Sequence, residues 1–289
     1  MFQLITDACC DLPANVLKQA DVAYIPMLIN LEGNEYVDDL GQTFDYPWFL
    51  AQLQENKQPT TSQINVGRYM EYFRPYAEKN IPLLYIGFSS ALSGSYSSSL
   101  QAVELLLEEY PEAEIHCIDT KAASLGVGLL VLEAARLRRE GQSLSEVIAW
   151  LEKYQTHMRS WVTVNDLKHL ERGGRISKTA AAIGGLLSVK PILIIDAAGK
   201  LQNIDKIRGR NKAIQKIIDE TLTDLDVTIA NQLYLAHSGD DETAEKIVQQ
   251  LQEKCPQTPV SRFPLGPTIA SHTGYGCIAL FSMGKNPRT

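Results

Sequence analysis

Leu83-Leu84-Tyr85-Ile86-Gly87-Phe88, followed by Ser89-Ser90-Ala91-Leu92-Ser93-Gly94-Ser95-Tyr96, decides how this chain folds. An unbroken apolar run of that length has the pattern of a strand buried on both faces, as in a parallel sheet. The run breaks into small hydroxyl residues, and Leu100 to Leu107 then carries apolar residues at helical spacing. A buried strand that opens into serines at a helix start offers free backbone N–H groups and the positive end of a helix dipole to an anion. The run contains no Lys. It suits a small anionic head group held gently, not a clamped polyphosphate.

Working outward, the first half alternates short apolar runs with helical patterns. Phe2–Thr6, Val22–Leu28, Leu83–Ile86 and Ile115–Ile118 read as strands. Asp45–Gln54, Val66–Tyr76, Ser93–Glu109, Ala122–Arg139 and Ser143–His157 read as helices. Asp11-Leu12-Pro13 has the form of a helix start with Asp as its cap, and Ser143 with Glu146 that of a capping box. This alternation predicts βαβ units and a parallel, doubly covered sheet. After about Ser160 the pattern changes. Trp161–Val164 reads as a strand, and Val189–Ile195 and Leu201–Ile207 as a hairpin turning at Ala198-Gly199. Ala180–Leu187, Lys212–Leu222, Thr243–Cys255 and Pro267–Ser271 read as helices, and Leu233–His237, Val260–Phe263 and Cys277–Phe281 as strands. The fold class is thus a two-domain α/β protein: an N-terminal parallel-sheet α/β domain over 1–160 and a C-terminal mixed-sheet α+β domain over 161–289.

Composition narrows the function. With 289 residues, 45% apolar and 21% charged, the chain has material for a core in each half. A net charge of −7 argues against non-specific nucleic-acid binding. No apolar run approaches the roughly 20 residues of a membrane span. Met1–Asp7 reads as a first strand, not a signal peptide. Five Cys without a CxxC suit reduced thiols in a cytoplasm, and no metal-binding spacing occurs.

Several clusters are candidate sites. Pro59-Thr60-Thr61-Ser62-Gln63 is a second hydroxyl group, either a helix cap or a partner of Ser93 in one pocket. Ser271-His272-Thr273-Gly274-Tyr275-Gly276 sets a His among hydroxyls and glycines, where a tight turn or a close ligand approach is expected. His116, His157 and His169 fall inside predicted elements and read as structural. Gly173-Gly174-Arg175 puts a guanidinium on a flexible turn, suited to a carboxylate or phosphate. Lys206, Arg208, Arg210 and Lys212 form a basic cluster that is a solvated face or a dock for an acidic partner. Gly87-Phe88-Ser89-Ser90-Ala91 nearly spells an esterase elbow, so an esterase using Ser89 or Ser93 with His272, and Asp119 as third member, is the rival reading. Gly126-Val127-Gly128 lacks the third Gly of a dinucleotide fingerprint, and no phosphate loop supports a kinase.

In order along the chain, Thr6-Asp7 with Asp11-Leu12-Pro13, Pro59 to Gln63, Ser89 to Tyr96, Ile118-Asp119-Thr120 before Gly126-Val127-Gly128, Gly173 to Ser177, Lys190-Pro191-Ile192-Leu193, Arg208 before Lys212-Ala213, and His272 to Gly276 resemble the DegV family of fatty-acid-binding proteins. The chain departs from the family pattern at Ala8, where Ser usually follows Thr-Asp, and at Tyr275, in place of a Pro. The resemblance implies a binding protein, not an enzyme, with no cofactor. Its ligand would be a long-chain fatty acid in an apolar tunnel, with the carboxylate held at Thr61 and Ser93. Ser62, Gly94, Arg175, His272, Thr273 and Gly274 would surround it. The family's partner is a fatty acid kinase that makes the acyl phosphate, and the resemblance implies that Arg175 and Arg208 face it.

Overall fold

The computed structural model describes residues 2–177, 179 and 188–289. It has two domains, each built on its own sheet. The first sheet is wholly parallel, in the order β2 (Val22–Ile25), β1 (Gln3–Asp7), β6 (Leu83–Gly87), β7 (Ile115–Asp119). All five residues of β6 are buried, as its unbroken apolar run requires. The second sheet is mixed, in the order β10 (Leu201–Arg208), β9 (Val189–Ile195), β8 (Met158–Thr163), β13 (Ile278–Met283), β11 (Leu233–His237), β12 (Val260–Pro264). Its neighbours are antiparallel except for β11 and β12.

Period-two alternation gives the second sheet two apolar faces. Leu233, Leu235, Ile278 and Leu280 join the outer core, covered by α8 (Arg210–Asp224) and α9 (Asp241–Lys254). Tyr234, Ala236, Ala279 and Phe281 point the other way, into the core shared with the first domain. Between the sheets runs α5 (Leu125–Arg139), which packs on β6 from one side and on β8, β11 and β13 from the other. Its apolar residues are therefore buried nearly all round, and its two glycines are packing positions. A Cβ on Gly126 would come 3.3 Å from the Phe281 ring, and one on Gly128 would come 2.8 Å from the Cys10 carbonyl. The helix α6 (Leu144–Tyr154) carries the expected capping box of Ser143 and Glu146.

Three readings of the sequence change. The run Val22–Leu28 is not one strand: at Pro26 the chain leaves the parallel sheet and starts β3 (Met27–Leu31) in a separate antiparallel sheet, ordered β4 (Asn34–Asp38), β3, β5 (Thr60–Ser62). The turn Glu32-Gly33, with both φ positive, joins β3 to β4. Thr60-Thr61-Ser62 is thus a strand on the edge of that sheet and not a helix cap. Asp11 does not cap the helix α1 (Ala14–Gln19), whose N-cap is Pro13; it is buried, and its carboxylate accepts from Ser124. The helix expected over Ala180–Leu187 lies outside the described residues. Among the described residues no helix is long and apolar enough to cross a membrane.

Candidate functional site

Where the inner face of the second sheet meets the first domain there is a cavity, with about 850 Å³ of empty space, its mouth included. The apolar wall runs along the strands. Cys277, Ala279 and Phe281 alternate along one strand, Val162 stands beside Ala279, and Leu193 and Ile195 follow on β9. Met27, Phe88, Leu92, Leu170, Leu265 and Ile269 close it from the other sides.

Polar groups gather on the remaining wall. The edge strand β5 brings Thr61 and Ser62, and Gln63 follows. The turn between β6 and α4 (Ser95–Glu109) brings Ser93, whose hydroxyl lies 2.9 Å from that of Ser95 and accepts from the Ser95 N–H. The Ser95 hydroxyl in turn accepts from Ile64 N–H at 3.1 Å, which ties the turn to the segment after β5. Arg175, in the turn after α7 (Lys168–Arg172), donates from Nε to the Leu92 carbonyl at 3.0 Å and also bonds to the Gly173 carbonyl. The short helix α10 (Pro267–Thr273) brings His272 and Thr273, and His272 Nε2 lies 2.8 Å from Thr61 Oγ1.

Burial, with lesser contributions from the charge of Arg175 and from His169, pushes His272 down to about 4. It is therefore a neutral imidazole at neutral pH. Burial also lowers the pKa of Arg175. The glycines make room for these contacts. A Cβ on Gly94 would sit 2.2 Å from Gln63 Oε1, and one on Gly173 would sit 2.3 Å from His272 Nδ1.

Six of the eight predicted ligand residues therefore line one cavity: Thr61, Ser62, Ser93, Arg175, His272 and Thr273. Gly94 supports the wall without lining it. Gly274, at φ +75°, lines an adjoining polar cleft with Asn165, Asp166 and His169, and Thr273 is shared between the two. Arg208 is exposed on the edge strand β10. The esterase constellation is not assembled by hydrogen bonds. Ser89 is fully buried and donates to the Gly199 carbonyl at 2.8 Å, while Asp119 accepts from Ser90 and from Lys121 N–H.

A second set of residues gave no sign in the sequence of the contacts it makes. Asp38, at the end of β4, accepts from Thr268 Oγ1 at 2.6 Å and Thr268 N–H at 3.2 Å, so it caps α10 from a distant part of the chain. Asp11 lies beside it, and Gly266 fits against both, since a Cβ there would be 2.4 Å from Asp11 Oδ1. Burial pushes Asp38 up to about 6 and Asp11 well above the carboxylate range. Neither touches the polar wall directly; they fix the helix that carries His272.

Comparison with known proteins agrees with this architecture. The model of a family described as "Uncharacterised protein, DegV family" matches residues 1–285. A DegV domain-containing protein of Clostridium perfringens is 42% identical over 287 residues, covering 98% of this chain and 97% of the relative. A stearic acid-binding protein from Eubacterium ventriosum has the same fold, with a TM-score of 0.86 and 27% identity over 99% of both chains. A DegV family protein from Thermus thermophilus, described by its fatty acid binding, is 30% identical with a TM-score of 0.84, over 98% of this chain and 99% of that one. The chain belongs to the DegV family.

Proposed function

We propose that this protein binds a long-chain fatty acid in the cavity and presents its carboxylate at the polar wall to a fatty acid kinase in the cytoplasm. The observation that carries the reading is one cavity whose long wall is apolar and whose other wall collects Thr61, Ser93, Arg175 and His272. The fatty acid binding described for the Eubacterium and Thermus proteins supports it.

The physical division of labour follows from magnitudes. Each buried methylene contributes about 0.8 kcal/mol, so a chain of about 14 supplies most of the affinity. A hydrogen bond to a charged acceptor adds only about 1.5–3 kcal/mol, so the polar wall mainly sets orientation. His272 refines that wall. When neutral Nε2–H donates to Thr61 Oγ1, the Thr61 hydroxyl keeps its own proton for the ligand carboxylate. Ser93 offers a second neutral donor. Arg175 supplies a positive field from a guanidinium already engaged with two carbonyls. Donors of this kind accept either a carboxylate or an acyl phosphate without trapping the product. Residues 161–289 would close over the head group, with Arg175 and exposed Arg208 facing the kinase.

The test is native mass spectrometry of the purified protein, then titration of delipidated protein with a fluorescent fatty acid. A co-purifying long-chain acid and saturable binding, weakened in Ser93→Ala with the fold intact, are expected. A protein that carries no lipid and binds none refutes the proposal. Labelling of Ser89 or Ser93 by a fluorophosphonate would instead establish the esterase.

A further inference from the structure

Strands β8 and β9 pair only at Val162 with Leu193 and Thr163 with Ile192. Beyond those pairs they part, and the segment Pro287-Arg288-Thr289 lies in the fork. Arg288 N–H donates to the Thr156 carbonyl at 2.7 Å, and its guanidinium reaches the carbonyls of Gln155 at 3.1 Å and Ile195 at 3.4 Å. The fork keeps about 650 Å³ of empty space, mouth included, lined by Arg159, Ser160, Trp161, Ile194, Ile195 and the 287–289 segment.

Two of these residues, Ser160 and Ile195, also line the fatty-acid cavity. They are the partition between the two spaces. The strand register gives the position of the partition. Ser160 pairs with Phe281, and Phe281 stands four residues along from Cys277, whose thiol meets Thr273 of the polar wall; at about 3.3 Å per residue Phe281 is about 13 Å from that point. The fork therefore opens off the end of the cavity where the tail of a bound chain would lie.

The chemistry at that end is unexpected for a purely hydrocarbon site. Ser160 is 2% exposed, and its hydroxyl has no hydrogen-bond partner. Arg288 Nε, in the wall of the same fork, is buried and unpartnered too. Buried polar groups are ordinarily paired, so two unpaired donors around one space call for an acceptor. We infer that the fork is a subsite for an oxygen-bearing acyl tail, with the Ser160 hydroxyl the contact inside the cavity wall. The ligand class is a long-chain acid carrying a hydroxyl or another uncharged oxygen near its far end.

This inference rests on the fatty-acid reading, and the experiment separates the two. Delipidated wild type and Ser160→Ala are titrated with hexadecanoic acid and with ω-hydroxyhexadecanoic acid, by displacement of a fluorescent fatty acid. An apolar pocket end discriminates against the hydroxyl, because the group loses its water and gains nothing. The wild type is expected to bind both acids with similar affinity. In Ser160→Ala the affinity for the hydroxylated acid should fall about tenfold relative to that for hexadecanoic acid on the same variant, a ratio of the size set by one hydrogen bond. Rejection of the hydroxylated acid by wild type, or an unchanged ratio in Ser160→Ala, overturns the subsite while fatty-acid binding stands. Failure of hexadecanoic acid to bind at all overturns both.

Discussion

Replacing Thr268 by Val tests whether Asp38 fixes the head-group helix. The substitution is nearly isosteric, and Thr268 is 3% exposed, so the packing is kept and the hydroxyl is lost. What disappears is the 2.6 Å bond from Thr268 Oγ1 to Asp38, while the Thr268 N–H still donates at 3.2 Å. With Asp38 ionised, a bond of this kind is worth about 1.5–3 kcal/mol; with Asp38 protonated it falls to about 0.5–1.5 kcal/mol. Asp38 titrates at about 6, so the cost of Thr268→Val should be larger at pH 8 than at pH 5. Losing a donor also removes one of the bonds that hold its pKa down, so Asp38 in the variant should titrate higher still. The assay is urea unfolding at both pH values, with the midpoint difference multiplied by a common slope. A loss below about 0.5 kcal/mol at pH 8, or one independent of pH, would refute the role given to Asp38.

Gly173→Ala places a Cβ 2.3 Å from His272 Nδ1 at an ordinary φ of −71°, so it should disturb the imidazole and not the backbone. Fatty-acid affinity should fall about tenfold with little change in the unfolding midpoint, and equal affinity would argue against a part for His272. Acid should act on the two buried groups with opposite sign. His272 is lowered to about 4, so its contribution to stability is present above pH 6.5 and is lost as pH falls toward 4. Asp38 is raised to about 6, so its contribution is present below pH 3.8 and is lost as pH rises toward 6. Between these limits His272→Gln should gain stability on acidification relative to wild type, and Asp38→Asn should lose it; parallel pH profiles of urea midpoints would contradict both. Gly94→Ala should push Gln63 from its place, read as faster lipid release, since a Cβ there meets Oε1 at 2.2 Å.

The parts legible in the sequence are those that depend on near neighbours along the chain. The β6 run, the Ser143 capping box and the β9–β10 hairpin each announce themselves by composition and period, and each is present. The small antiparallel sheet was not legible. Its strand β4 is mostly exposed and polar, its turn Glu32-Gly33 is not one of the common hairpin pairs, and β5 has three residues. Asp11 misled because a buried carboxylate and a helix cap look alike before a Pro. Of the site, the hydroxyl clusters, the Gly-Gly-Arg turn and His272 stood out by local chemistry. Their supports did not. Asp38 meets Thr268 across 230 residues, and Gly266 is needed only because two carboxylates stand against it. Contacts of that separation leave no mark on spacing.

The helix α5 serves as the floor of one sheet and the roof of the other. A shared wall of this kind forbids a clamshell. The halves cannot swing apart about a hinge without stripping Val127, Leu130, Val131 and Ala134 of their neighbours, all of them wholly enclosed. A ligand of the cavity would therefore enter and leave through the rim of loops, and heat should melt both halves together in one transition.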